Sequence, residues 1–272
     1  MMVMMSVLHV RFVRFLPLVA VLVVVAAGAT AGCGGYAPKM PDLGSADADK
    51  FLFEKGTTAL KDHNWLAARE YLKRLVDSYP SSPYRQDGKL GIGDAYMGTN
   101  TTESKILAIN EFREFLQFFP TSPRADYAQF NIALAHEKQM LSPERDQTET
   151  KDTIREWELF FERFPNSKLR SEADTHYRMA RDRLSDSQYQ VGYFYYRFKL
   201  YGGAASRFLE LIAADPQYTH RDAVFFYLAE SLLVMGRPVE ALPFFDRIVK
   251  EFLKSEYLEK AKKRVAELSP KK

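Results

Sequence analysis

The sequence predicts an all-α chain built as a solenoid of five helical hairpins, and three observations predict it. A proline hinge recurs, as YPSSPYR at Tyr79 to Arg85, FPTSPRA at Phe119 to Ala125 and, in reduced form, FPNSKLR at Phe164 to Arg170. Counted back from each hinge proline, small and bulky residues return at fixed distances: Phe112 and Ala108 before Pro120, Leu72, Ala68 and Gly56 before Pro80, Phe208, Ala204 and Gly192 before Pro216. Apolar residues follow the helical period, with Ala108, Phe112, Phe115, Leu116 and Phe119 on one face and Ile154, Trp157, Phe160, Phe161 and Phe164 on another, and nowhere alternate with the period of a strand.

Residues 1–32 have the layout of a secretory leader: Arg11 and Arg14, an apolar run from Phe15 to Ala27 broken by Pro17, then small residues. The run is short for a membrane span. Cys33, the only cysteine of the chain, follows Ala29-Thr30-Ala31-Gly32, so no disulfide forms within the chain. The site resembles the lipobox of bacterial lipoproteins, although that family usually has Leu where Thr30 stands. The resemblance implies lipidation of Cys33, and Gly34 resembles the pattern exported to the outer membrane. Each buried acyl CH₂ contributes about 0.8 kcal/mol, so several chains hold a protein on a bilayer. Residues 33–48, rich in Gly, Pro and small polar residues, read as a tether.

From residue 49 to residue 268 the hairpins follow one another. The spacing resembles the tetratricopeptide repeat, a helix-turn-helix unit of about 34 residues with small residues where its helices cross and a proline after the second. The resemblance implies a right-handed superhelix. The first, fourth and fifth repeats fit without gaps, the last with Ala229, Ala241 and Phe245 in place and Leu253 at the terminal position. The second carries three extra residues around GTNTTES and the third about eight in LSPERDQTET, both expected in loops. In PTSP, Pro120 stops one helix, Ser122 is placed to cap the next and Pro123 suits a first helical position. Asp146 to Glu149 has the spacing of a capping box. One helix exceeds the five-repeat count: a stripe through Ala173, Tyr177, Ala180 and Leu184 is expected to precede the first helix of repeat four. Leu258, Ala261, Val265 and Leu268 form a last stripe, expected to cap the solenoid.

Little here points to chemistry. The 38 basic groups, two of them in the leader, nearly balance 35 acidic ones, which is not the footprint of nucleic-acid binding. His63, His136, His176 and His220 show no i, i+4 pairing and no cysteine partner, so no metal site is expected. Gly91 to Gly98, GIGDAYMG, lacks a preceding strand and the G-x-G-x-x-G spacing of a phosphate loop. No nucleophile elbow occurs. The expectation is a scaffold without cofactor, not an enzyme.

The candidate site is a surface. By the tetratricopeptide resemblance, the residues that face the concave groove are Lys50, Phe53, Thr57 and Leu60; Asp87, Leu90, Asp94 and Met97; Tyr127, Phe130, Leu134 and Glu137. Such grooves take extended peptides or partner helices. YQVGYFYYRF, Tyr189 to Phe198, has more aromatic residues than one helix stripe buries, which marks a partner interface.

Four stretches go beyond the generic repeat: RDQTETKDTIREW (Arg145 to Trp157), FPNSK (Phe164 to Lys168), RDRLSDSQYQVGYFYY (Arg181 to Tyr196) and AASRF with Arg207. With the anchored cysteine they resemble the BamD family of outer-membrane lipoproteins, which serves the β-barrel assembly (BAM) machine. The resemblance runs from Cys33 to about Val265. It implies a lipid-anchored protein on the periplasmic face of the outer membrane, with BamA and other BAM lipoproteins as partners. N-terminal repeats would receive nascent barrel proteins, and C-terminal repeats would dock on a POTRA domain of BamA through Arg207, with Tyr196 and Arg197 beside it. Gly202-Gly203 departs from that family's usual Arg-Gly-Ala. A neighbouring reading is a repeat lipoprotein of another envelope machine, such as a pilotin for a pilus secretin, which co-purification with a secretin rather than BamA distinguishes.

Overall fold

The structure, a computed structural model, describes residues 47–269; the leader, Cys33 and nearly all of the tether lie outside the described residues. Among the described residues it contains eleven α-helices and no strand: α1 (Ala48–Lys61), α2 (Trp65–Ser78), α3 (Arg85–Thr99), α4 (Thr102–Phe118), α5 (Ala125–Glu137), α6 (Thr148–Arg163), α7 (Arg170–Arg197), α8 (Tyr201–Ala214), α9 (Arg221–Val234), α10 (Pro238–Glu251) and α11 (Leu258–Leu268). Each packs on the helix before and the helix after it, the pattern of stacked hairpins in a solenoid. None of these helices is long and apolar enough to cross a membrane.

The hinges share one geometry. Two residues after the proline position, the hydroxyl of Ser82, Ser122, Ser167 and Ser255 accepts from the backbone N–H of Tyr84, Arg124, Leu169 and Tyr257, at 3.0 to 3.2 Å. The same serines donate their own N–H to Tyr79, Phe119, Phe164 and Phe252. Each helix therefore starts about two residues later than the sequence implies, with Pro123 in a turn before α5 rather than within it. In the fourth hinge Tyr218 replaces the serine, is buried, and gives its hydroxyl to Asp186 at 2.5 Å.

The crossing points fall where the count back from each proline puts them, displaced by the three extra residues of repeat two at Gly93. A Cβ at Gly93 would lie 2.6 Å from the Phe112 ring, and one at Gly192 2.6 Å from the Phe208 ring, so these positions exclude a side chain in order that a phenylalanine of the paired helix may fill the space. Phe112, Phe208, Ala108 and Ala204 are fully buried. Ala261 is buried against the last hairpin, with Val265 and Leu268 packed on the same cluster, so α11 is the expected cap.

Three local expectations are corrected. The extra residues of GTNTTES lengthen α3 and α4 and leave a loop of only Asn100 and Thr101; Asn100 takes the left-handed conformation (φ 58) and Thr101 forms a capping box with Ser104. The box expected at Asp146 to Glu149 does not form, because Glu149 turns to His136 at 2.8 Å. The helix through Ala173 and the first helix of repeat four are one 28-residue helix, α7. Between Leu184 and Gly192 no proline or hinge serine pair interrupts the i to i−4 ladder, so nothing ends the helix there.

α7 consequently serves two hairpins. Its first half sets Ala173 and Tyr177 in the cluster of Trp157 and Phe160, and its second half sets Gly192 against Phe208. Its middle is held by polar groups. Arg178 forms a bidentate pair with the buried Asp215 of the fourth hinge, and Ser185 donates to the same carboxylate at 2.7 Å. Arg181 donates to the Ala214 carbonyl and Arg183 to that of Leu141, both at 2.7 Å, while Asp182 accepts from Thr219. Burial would raise the Asp215 carboxyl, yet the bonds from Arg178 and Ser185 and the charges of Arg178 and Arg181 hold it below the usual range.

Candidate functional site

On the N-terminal hairpins the structure draws four of the twelve expected groove residues, Asp87, Asp94, Tyr127 and Glu137, into polar contacts between helices. Asp94 on α3 accepts from the hydroxyl of Tyr127 on α5 at 2.8 Å. Arg124 lies 4.8 Å over the Tyr127 ring and pairs with Asp87 at 3.2 Å. One repeat further, Glu137 on α5 meets His176 on α7 at 3.0 Å, and the His176 ring stacks 5.6 Å from Trp157. Each neighbouring pair of these helices is thus joined by a carboxylate and its partner.

Near the start, Lys50 is exposed and Phe53 stacks on Tyr84 at 4.8 Å. The Thr57 hydroxyl returns to the Phe53 carbonyl, and Leu60 packs into the first core cluster. Met97 packs on the second cluster and Leu134 on the third. Leu90 and Phe130 are corrections to the groove list: both are buried, Leu90 among Ala108 and Phe112 and Phe130 among Trp157 and Phe160, because their positions face the next helix pair as well as the groove.

Asp94 is the unusual group. Burial pushes its carboxyl up to about 6, against the opposing pull of the Tyr127 hydroxyl and the Arg124 charge. Burial also raises Glu137, against the opposing charge of His176. Because the folded-state value of Asp94 lies above that of an exposed aspartate, protonation favours the fold. The ionised carboxylate lowers stability above pH 6, the penalty fades as the pH falls through 6, and it is gone below about pH 4. Asp94→Asn, which keeps a carbonyl for Tyr127, is expected to raise stability by about 2 kcal/mol at pH 7.5 and by almost nothing near pH 4, measured as urea midpoints at both. An equal gain at both pH values would refute the assignment.

On the C-terminal hairpins Arg207 projects from α8, half-exposed, and pairs with Glu210 one turn on at 2.9 Å. Arg207 and Glu210, with Gln188 and Val191 of α7, line a cleft of about 200 Å³. Arg197 is exposed at the end of α7. Tyr196 is half-buried, with its ring edge-on to Tyr227 at 4.9 Å and to Tyr201 at 5.7 Å. It belongs to a tyrosine layer with Tyr193 and Tyr227 and does not line the Arg207 cleft. Of the six aromatics between Tyr189 and Phe198, the four tyrosines pack on the core, and only Phe194 and Phe198 are exposed.

One potential cation-binding group appears among the described residues: His136, Glu149 and Asp152 have ligand atoms within 4.8 Å of one another. Its carboxylates already have partners, Glu149 the His136 ring and Asp152 Arg155 at 2.9 Å. No ligand spacing betrays it, since His136 and Glu149 lie thirteen positions apart.

The chain matches a family model described as YfiO, outer membrane lipoprotein, over residues 45–241, from just before α1 into α10. Among curated proteins it is 27% identical over 232 residues to the outer membrane protein assembly factor BamD of Caulobacter vibrioides, covering 85% of this chain and 75% of that one. The protein of the same name from Vibrio cholerae is 24% identical over 195 residues, 68% of this chain and 78% of that one.

Proposed function

The chain belongs to the YfiO family of outer membrane lipoproteins, and from that premise we propose that it is a scaffold of the BAM machine, anchored through Cys33 to the periplasmic face of the outer membrane. It is an assembly factor rather than an enzyme. Its C-terminal hairpins dock a POTRA domain of BamA, with Arg207 as the charged contact and Arg197 beside it. Its N-terminal groove, from Lys50 and Phe53 to Asp94 and Tyr127, receives segments of unfolded outer-membrane proteins, and other BAM lipoproteins are further partners. The observation that carries the reading is the family match across nearly all of the hairpin array, together with an arginine that is outward and free of structural duty.

Arg207 makes only an exposed pair within its own helix, of the kind that contributes about 0.3–0.5 kcal/mol. Arg207→Glu should therefore leave helicity unchanged while weakening capture of the BamA periplasmic domain by roughly thirtyfold, about 2 kcal/mol. Binding at the parent level, with the circular dichroism spectrum intact, counts against Arg207 as the contact.

A further inference from the structure

We propose that the turn edge of the last two hairpins is a second membrane contact, laid against an anionic phospholipid surface. Six large apolar side chains stand on it with 40 to 84% of their surface exposed: Phe194 and Phe198 from the end of α7, Leu200 from the turn that follows, Val234 and Met235 from the end of α9 and its cap, and Val239 from the start of α10. The Phe194 and Phe198 rings lie 4.6 Å apart, and a Cβ at Gly202 would sit 3.9 Å from the Met235 methyl, so the two turns adjoin. The turns of the first two hairpins, Asp62-His63-Asn64 and Asn100-Thr101, are polar.

Charge on this edge has one dominant sign. Lys199 and Arg197, the latter shared with the border of the proposed BamA contact, are exposed and form no ion pair among the described residues, and Arg237 is matched locally by Glu240 at 2.6 Å. The shape argues for lipid over protein. Anchors of a protein interface seat in pockets, and the four clefts seen between α7 and α8 and along the hinges are not lined by any of the six apolar residues of the turn edge. Apolar tips that project from turns, ringed by cations, match a bilayer interface, where the tips enter the acyl boundary and the cations remain with anionic head groups. Such a contact would fix how the domain lies on the membrane, which a tethered acyl group alone does not.

Cys33 is the only cysteine, so its acylation leaves a single thiol in Val239→Cys. The full lipidated chain, reconstituted in phosphatidylethanolamine and phosphatidylglycerol vesicles with an environment-sensitive fluorophore at Val239→Cys, is expected to emit blue-shifted light quenched by nitroxide lipids. Leu253→Cys, also strongly exposed (71% against 84% at Val239) but on a hinge, is expected to show neither effect, and the parent chain sets the background. Adding Phe194→Ser and Phe198→Ser to the Val239→Cys chain should remove the quenching. Water-like emission at position 239, or equal quenching at 239 and 253, overturns the proposal. A blue shift that requires added BamA periplasmic domain also overturns it, and makes the edge a protein interface.

Discussion

Ala204→Arg is expected to unfold the C-terminal hairpins while the first three remain folded. Ala204 has no exposed surface and shares its cluster with Phe208, Val224, Phe225 and Ala229. Overpacking such a site costs about 1–3 kcal/mol, and a buried, unpaired guanidinium costs several more. The sum exceeds about 4 kcal/mol, a large fraction of a domain's total stability. Contacts here run between sequence neighbours, so the damage stays local. Amide exchange should lose protection from the second half of α7 through α11 and keep it in α1 to α6. Arg207→Glu, three residues away, should leave that protection in place. Parent-like protection throughout in Ala204→Arg would mean that position 204 is not a crossing point.

The second large effect is expected from Asp215→Ala. Asp215 is buried, accepts both guanidinium nitrogens of Arg178 and also satisfies Ser185. Removing one partner of a buried pair is strongly destabilising because the other charge stays behind; Arg178 retains some contact with water, which places the loss at about 3 kcal/mol, or roughly 6–12 °C in melting temperature. The clasp joins α7 to the fourth hinge, so one cooperative transition should separate into two. Since the Asp215 carboxyl is held below its ordinary value, its contribution is present at neutral pH and is lost as the pH falls through the folded-state value. The difference between parent and variant should therefore shrink in acid. A single transition at the parent temperature would show that the clasp is ornamental.

How far the sequence disclosed these features depends on how far apart the partners lie along the chain. Gly192 and Phe208, like Gly56 and Leu72, sit within one hairpin sixteen positions apart, so a proline ruler finds both pairs. The serine two residues after Pro80, Pro120 and Pro165 is visible for the same reason, although its true service, to a turn before the helix, depends on backbone angles that spacing does not carry. Leu90 and Phe130 were misplaced because a first-helix position can face the groove and the next hairpin at once, and only packing decides which wins. The Arg178 to Asp215 clasp spans 37 residues between two ordinary polar stretches, with no period to betray it. The apolar turn edge is half legible: the stretch from Tyr189 to Phe198 carries more aromatics than one stripe buries, without showing which are exposed, while Val234, Met235 and Val239 belong to another hairpin and become one surface with it only through stacking.

The absence of a joint inside α7 has a mechanical consequence. At about 1.5 Å per residue its 28 residues make a rod of roughly 42 Å, rooted in the third hairpin at one end and in the fourth at the other. Tilting such a rod by about 5° sweeps its far tip through roughly 4 Å. A cargo that prised apart the front hairpins would thereby displace whatever is fastened at the rear, with no hinge between them to absorb the stroke.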